Sequence, residues 1–158
     1  MATPTETTIE RSLPNPKLIK LLNPLVTFLV GRGWTGASRS FMVLHWTGRK
    51  SGKAYSTPVS RYEIEGRITT TTKAGYRHNF AGGAPAELVL DGERRAFTGT
   101  LIDDPDEIGR RLRALLDAQG FDGEGKAFGA KITGDPTVEE LAAYAADVGT
   151  VLIEFEPA

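Results

Sequence analysis

Residues 85–102, PAELVLDGERRAFTGTLI, decide the fold class because they contain two strand-like runs on either side of a tight turn. The central Asp91-Gly92 pair is typical of a two-residue hairpin turn, in which both positions take positive φ. Residues 85–90 and 94–102 therefore predict two antiparallel strands. Three more runs rich in β-favouring residues precede this hairpin and predict further strands, at residues 41–47, 55–64 and 67–73.

The pattern becomes helical after the hairpin. Residues 103–107, DDPDE, predict a helix start because they combine an acidic cap with a proline in the first turn. A second helix is predicted from Thr137, which stands at capping-box spacing from Glu140. Residues 121–134, between the two helices, are rich in glycine and are predicted to be irregular. Residues 151–155 alternate apolar with other side chains and predict the last strand.

About six strands joined mostly by hairpins, with helices outside them, indicate an α+β fold built on a mostly antiparallel, closed or split six-stranded β-barrel. A doubly wound parallel sheet is disfavoured because strands and helices do not alternate and no GxGxxG follows the first strand. A chain of 158 residues is the length of one domain. We expect residues 13–158 to form that domain and residues 1–12 to be a flexible tail.

The composition excludes several classes of function. The sequence has no cysteine, which rules out disulfides, thiolate metal sites and cysteine nucleophiles, and its two histidines are too few for an all-histidine metal site. Lys plus Arg number 19 and Asp plus Glu number 20, so there is no basic excess to bind nucleic acid. We therefore predict neither a metal site nor a nucleic-acid partner.

The N-terminal region predicts a cytoplasmic protein. Residues 1–16 lack the basic and apolar regions of a secretory signal. Residues 16–30 predict a helix, kinked near Pro24, that is too short to span a bilayer. Two roles are open for this helix. It either packs against the barrel or a partner subunit, or makes a peripheral contact with a membrane or a lipid-like ligand.

A short basic loop, residues 47–53 (TGRKSGK), is the candidate binding site. Its glycines allow the backbone to approach a ligand closely and to turn successive N–H groups toward an anion. Arginine can bind phosphate or carboxylate through two parallel bonds, and lysine adds point charge. The loop therefore predicts a site for a multiply anionic ligand, with a solvated basic hairpin as the alternative. It is not a Walker A loop, whose spacing is absent.

Residues 43–61, VLHWTGRKSGKAYSTPVSR, resemble the signature of the deazaflavin-dependent nitroreductase family of actinobacteria. That signature is an apolar strand, then T-G-R-K-[ST]-G, a short gap and a second strand that contains a proline. Residues 47–52 match it position by position, and Pro58 matches the strand proline. The Asn79-Phe80 pair is similar to an Asn-Leu pair of the family. The resemblance extends over about residues 15–156.

The resemblance implies a split β-barrel related to the pyridoxamine-phosphate-oxidase and FMN-binding barrels, and a homodimer. It also implies a cofactor, the 8-hydroxy-5-deazaflavin coenzyme F-420, which carries a phosphate and an oligoglutamate tail. This cofactor agrees with the anion site predicted from the basic loop. The residues that the resemblance assigns to cofactor binding are Gly48, Arg49, Lys50, Ser51, Gly52, Lys53, Pro58, Thr72 and Lys73.

The chain departs from the family pattern after residue 73. The family has a longer segment there with a Pro-x-Trp-Tyr element, which is compressed here to residues 74–80. Tyr76 and His78 are candidates to replace its aromatic contact and are the candidate catalytic residues. His78 could donate a proton near neutral pH, with an exposed loop histidine as the alternative.

The expected function is that of an oxidoreductase. Reduced deazaflavin would transfer a hydride to an electron-poor small molecule, such as a quinone, a nitroaromatic or an activated enone, and the cofactor would carry the chemistry. One alternative is an FMN-binding reductase on the same barrel. A second alternative is a non-enzymatic binder of a fatty acid, a quinone or haem.

Overall fold

The computed structural model describes residues 8–11, 41–128 and 130–158 of the chain. Within these ranges the chain forms strands, two α-helices and one 3-10 helix. The strands are β1 (Thr8–Arg11), β2 (Phe41–Thr47), β3 (Ala54–Ser60), β4 (Tyr62–Ile64), β5 (Arg67–Thr72), β6 (Ala84–Leu90), β7 (Glu93–Ile102), β8 (Glu124–Ala127), β9 (Ala130–Thr133) and β10 (Val151–Pro157). The helices are the 3-10 helix (Gly75–Phe80), α1 (Pro105–Ala118) and α2 (Val138–Val148).

The main sheet is antiparallel, and its strand order is β3-β2-β6-β7-β10-β5-β4. Its edge strands β3 and β4 are separated in sequence by Arg61 alone, so the sheet must curl until its two edges meet there. The antiparallel α+β architecture is confirmed. The predicted number of six strands is wrong because residues 55–64 break at Arg61. The two pieces pair with different neighbours, and the curled sheet has seven strands.

The hairpin that decides the fold class forms as predicted. β6 and β7 pair antiparallel along their length, from Ala84 opposite Gly99 to Leu90 opposite Glu93. The turn residue Asp91 has a φ of 52°. Gly92, the next residue of the turn, also has positive φ, as a type I′ turn requires.

A second sheet, of order β1-β9-β8, corrects two predictions. Residues 121–134 are not irregular, because they contain β8 and β9. Residues 8–11 are not a flexible tail, because they pair with β9 and place Ile9 opposite the fully buried Ile132. The glycine-rich sequence gave no sign of the β8–β9 hairpin, and β1 pairs with a segment far from it in sequence. The predicted helix at 16–30 lies outside the described residues.

Two clusters of buried side chains divide the interior. The helix core lies beneath α1 and α2 and includes Ile108, Leu112, Leu115 and Leu116 of α1. The sheet core lies inside the curled sheet and includes Phe80 at the end of the 3-10 helix. Central members of the helix core are Leu112, Leu116, Ile132, Leu141 and Leu152, and those of the sheet core are Met42, Leu44, Phe80, Leu88 and Phe155.

Both α-helices begin at predicted caps. Asp104 accepts a hydrogen bond from the Glu107 N–H at the start of α1, at 3.2 Å. Thr137 and Glu140 form a capping box at the start of α2, with two bonds of 3.1 Å. Among the described residues, the helices are too short or too polar to cross a membrane.

Gly109 sets how closely the two helices approach. A Cβ at this position would lie 2.5 Å from the Val138 carbonyl oxygen and 3.0 Å from the Ala142 Cβ. Alanine at position 109 would favour the helical conformation by about 1 kcal/mol relative to glycine. The Val138 carbonyl oxygen, however, can move away from the added Cβ only if α2 moves with it. We expect Gly109→Ala to lower the free energy of unfolding by about 1–3 kcal/mol in urea titrations. Gly75→Ala, with no atom within 4 Å of the added Cβ, is the control.

Candidate functional site

A cleft of about 550 Å³ opens where the end of β2, the basic loop and the 3-10 helix meet. The basic loop is defined here as residues 48–53, which join β2 to β3. An aromatic wall faces this loop. The lining residues are Trp46, Gly48, Arg49, Lys50, Ser51, Tyr55, Gly75, Tyr76, His78 and Asn79.

Hydrogen bonds within the basic loop hold it in a tight turn. The Gly48 N–H donates to the Lys53 carbonyl at 2.8 Å, and the Gly52 N–H donates to the Gly48 carbonyl at 3.0 Å. Gly52 has a φ of +69°, which favours glycine. A Cβ on Gly48 would lie 2.5 Å from the Ser51 Oγ. The turn therefore favours glycine at position 52, and a Cβ at position 48 would displace the Ser51 hydroxyl. The N–H groups of both glycines bind the loop itself, so they do not point at a ligand as the sequence suggested.

The Ser51 hydroxyl also contributes to the turn. Its Oγ accepts a hydrogen bond from the Lys53 N–H at 3.2 Å and lies 3.3 Å from the Tyr55 hydroxyl. The side chains of Lys50 and Lys53 are exposed on the same turn. The loop therefore offers an anion its side-chain charges more than its backbone.

Arg49 joins the basic loop to the 3-10 helix. Its backbone N–H donates to the Asn79 Oδ1 at 2.7 Å. Its Nη2 donates to the Asn79 carbonyl at 3.1 Å and to the Ala81 carbonyl at 2.8 Å. A guanidinium has five N–H donors, and these two bonds leave the three on Nη1 and Nε for other partners. Arg49 therefore holds the cleft together as well as adding charge.

Three stacked rings form the aromatic wall. The centroid of Trp46 lies 5.5 Å from that of Tyr55, with an interplanar angle of 20°. The centroid of Trp46 also lies 4.8 Å from that of Tyr76, and these two rings are tilted by 35°. Tyr55 is 43% exposed and lines the cleft, so the wall presents an open aromatic surface there. Such a surface can receive a planar ligand in offset stacking.

Tyr76 is the more enclosed of the two tyrosines. Burial raises the pKa of the Tyr76 hydroxyl, and a hydrogen bond with Thr72 opposes this shift. The hydroxyl therefore keeps its proton at neutral pH. Thr72 thus lies next to Tyr76 of the cleft. The Thr72 Oγ1 also accepts a hydrogen bond from the Ala74 N–H at 3.0 Å.

Of the other predicted site residues, His78 lies at the cleft and Pro58 lies away from it. His78 is exposed and lines the cleft from the 3-10 helix. The Lys73 carbonyl accepts a hydrogen bond from the Arg77 Nη1 at 3.0 Å. Pro58 does not reach the cleft. It lies three positions from Tyr55 along β3, so the two side chains point to opposite faces of the sheet.

The charge in the cleft has one sign. The lining includes Arg49 and Lys50, with Lys53 on the same loop, and no carboxylate stands among the lining residues. In the described ranges, no three histidine or carboxylate side chains cluster as metal ligands. The site therefore favours an anionic ligand with an aromatic part.

Sequence analysis did not identify Tyr55 as a wall residue, nor the bonds of Asn79 to the loop. Tyr55 could have been found from the hairpin register, since Trp46 pairs directly with it across β2 and β3. Asn79 could not, because its partner Arg49 lies 30 residues away and only tertiary packing brings them together.

Comparison with known proteins assigns no activity. The sequence matches no protein-family model and no curated protein. One similar solved structure is described as a domain-swapped dimer. It shares 15% identity and a TM-score of 0.48 over 90% of this chain and 100% of its own. A conserved hypothetical protein from Mycobacterium tuberculosis shares 11% identity and a TM-score of 0.45, over 97% of this chain and 86% of its own.

Proposed function

We propose that this chain is a deazaflavin-dependent oxidoreductase, built on a split β-barrel. The observation that carries the proposal is that a cationic loop and an open aromatic wall meet in one cleft. Coenzyme F-420 combines a planar ring with a phosphate and several carboxylates, so each part of it has a matching surface. The resemblance of residues 43–61 to the nitroreductase family supports the same cofactor.

The size and chemistry of the cleft fit this group. Its volume of about 550 Å³ is within the usual range of roughly 300–1,000 Å³ for small-molecule sites. Lys50, Lys53 and the remaining donors of Arg49 would hold the phosphate and the glutamate tail. The single phosphate of FMN needs fewer cations than this loop provides, which favours the longer anionic tail.

The side chains of the chain would position the reactants. When bound, reduced deazaflavin supplies a hydride for an electron-poor acceptor such as a quinone, a nitroaromatic or an activated enone. The rings of Trp46, Tyr55 and Tyr76 would orient it and exclude water. The Tyr76 hydroxyl, protonated at neutral pH, can donate a hydrogen bond. His78, exposed at the cleft, would deliver a proton to the reduced acceptor.

Parallel titrations of the purified protein with F-420, FMN and haem test the proposal. We expect F-420 to bind and its reduced form to be oxidised by a quinone or a nitroaromatic acceptor. Failure of F-420 to bind contradicts the proposal. A tightly bound yellow flavin in the purified protein would support the FMN alternative. A stoichiometric lipid or haem without turnover would support the carrier alternative.

Removing the two exposed lysine charges of the loop should weaken cofactor binding. We expect the Lys50→Gln/Lys53→Gln pair to raise the Kd for F-420 about tenfold, since each exposed ion pair contributes up to about 1 kcal/mol. The loss should shrink at high salt, because the screening length falls from about 10 Å at 0.1 M to about 3 Å at 1 M. Lys131→Gln is the matched control, because Lys131 is exposed on β9 in the other sheet. An equal loss in this control would contradict the role of the loop.

The homodimer and the membrane contact of residues 16–30 also remain proposals. Sedimentation velocity of the full chain tests the first. Cosedimentation with phospholipid vesicles tests the second.

A further inference from the structure

The side chain of Asn79 forms hydrogen bonds to the basic loop and to the main chain of the 3-10 helix that carries Tyr76. Its Oδ1 accepts a hydrogen bond from the Arg49 N–H of the basic loop at 2.7 Å. Its Nδ2 donates to the Tyr76 carbonyl at 2.9 Å. The backbone carbonyl of Asn79 accepts a hydrogen bond from the Arg49 guanidinium at 3.1 Å. One amide side chain therefore joins the basic loop to the main chain of Tyr76, whose ring belongs to the aromatic wall.

The segment that carries Tyr76 is short. It is a 3-10 helix of six residues, and such helices have poorer hydrogen-bond geometry than α-helices. Phe80, fully buried in the sheet core, anchors its C-terminal end. Gly75 forms its N-terminal end and has open space around it. Phe80 thus anchors the segment as a whole, and the Asn79 side chain bonds the main chain of Tyr76 to the basic loop.

We propose that Asn79 is a positioning residue that couples anion binding at the basic loop to ring binding at the aromatic wall. This inference rests on the proposed function, since it assumes one ligand that has both parts. An anion bound by Lys50 and Arg49 would restrain the loop, and the Arg49 backbone would restrain Asn79. Asn79 would in turn restrain Tyr76 against Trp46. Such coupling is reciprocal, so each part of the ligand should tighten binding of the other.

Two probes separate the parts of the ligand. Pyrophosphate represents the anionic tail, and 8-hydroxy-5-deazariboflavin represents the ring without a phosphate. Calorimetry would measure the Kd of the ring probe with and without saturating pyrophosphate. We expect saturating pyrophosphate to tighten ring binding about fivefold or more in the natural chain, within the usual range of coupling between sites. In Asn79→Ala we expect both probes to bind, with a coupling below about twofold.

The Lys50→Gln variant distinguishes the positioning role of Asn79 from the effect of charge on the basic loop. It should raise the Kd of pyrophosphate, yet leave the coupling intact once pyrophosphate is saturating, because the bonds of Asn79 remain. Asn79→Ser is a second variant with a shorter polar side chain, and thermal melts would compare the folding of both. Loss of coupling in Asn79→Ser as well would support the role of Asn79.

The inference and the proposed function fail in different ways. If intact F-420 binds but the two probes bind independently to the natural chain, the role of Asn79 is overturned and the proposed function stands. Coupling that persists in both Asn79 variants also overturns that role. If the natural chain binds neither probe nor F-420, both are overturned.

Discussion

Replacing Glu154 with alanine is expected to lower the free energy of unfolding by about 2–3 kcal/mol, because it removes a buried carboxylate that two arginines share as a hydrogen-bond acceptor. Glu154 on β10 is only 6% exposed. One of its oxygens pairs with Arg67 on β5, and the other lies 2.5 Å from the Arg111 Nη1 on α1. The carboxylate thus joins two strands and a helix. A loss of this size is a large part of the roughly 5–15 kcal/mol that holds a domain folded.

Glu156 provides a matched control on the same strand. It lies 3.2 Å from the same Arg67, but its side chain is 58% exposed. Because water solvates an exposed pair, we expect Glu156→Ala to cost at most about 1 kcal/mol. Urea unfolding of both variants makes the comparison, and similar losses for the two would show that burial of the Glu154 network is not what stabilises this region.

Replacing Phe80 with alanine is expected to destabilise the chain by about 3–5 kcal/mol and to weaken ligand binding in the cleft. Phe80 is fully buried and meets Phe155 edge-on, with centroids 6.2 Å apart. Its ring fills the space above Gly99, where a Cβ would lie 2.8 Å from the Phe80 Cδ1. The same ring anchors the 3-10 helix that carries Tyr76 and Asn79. One substitution should therefore affect both stability and the site.

Phe41 offers the same substitution at an exposed position. It is 40% exposed at the start of β2, so Phe41→Ala removes less buried surface and should cost less than half as much. Phe80→Leu keeps most of the buried volume and should restore part of the stability. Thermal unfolding and F-420 titration of the three variants give both readouts. Equal losses for Phe41→Ala and Phe80→Ala would contradict the anchoring role of Phe80.

Local sequence predicted much of the fold because short-range chemistry decides it. The Asp91-Gly92 turn, the Asp104 cap and the Thr137–Glu140 capping box each act within a few residues, and each forms where predicted. Strands β8 and β9 were missed although they form a local hairpin, because the glycine-rich sequence around them carries no sign of pairing. Strand β1 was missed because its partner β9 lies far from it in sequence.

The same division applies to the candidate site. The basic loop follows from its own residues, since its glycines and cations are adjacent and its turn closes through its own hydrogen bonds. What faces that loop depends on packing between segments that are distant in sequence. Asn79 and Tyr76 reach it because Phe80 is buried in the sheet core and anchors the 3-10 helix. Pro58, adjacent in sequence to the site, is turned away by strand alternation. Charge and turns are properties of neighbouring residues, whereas the cleft depends on burial of side chains distant in sequence.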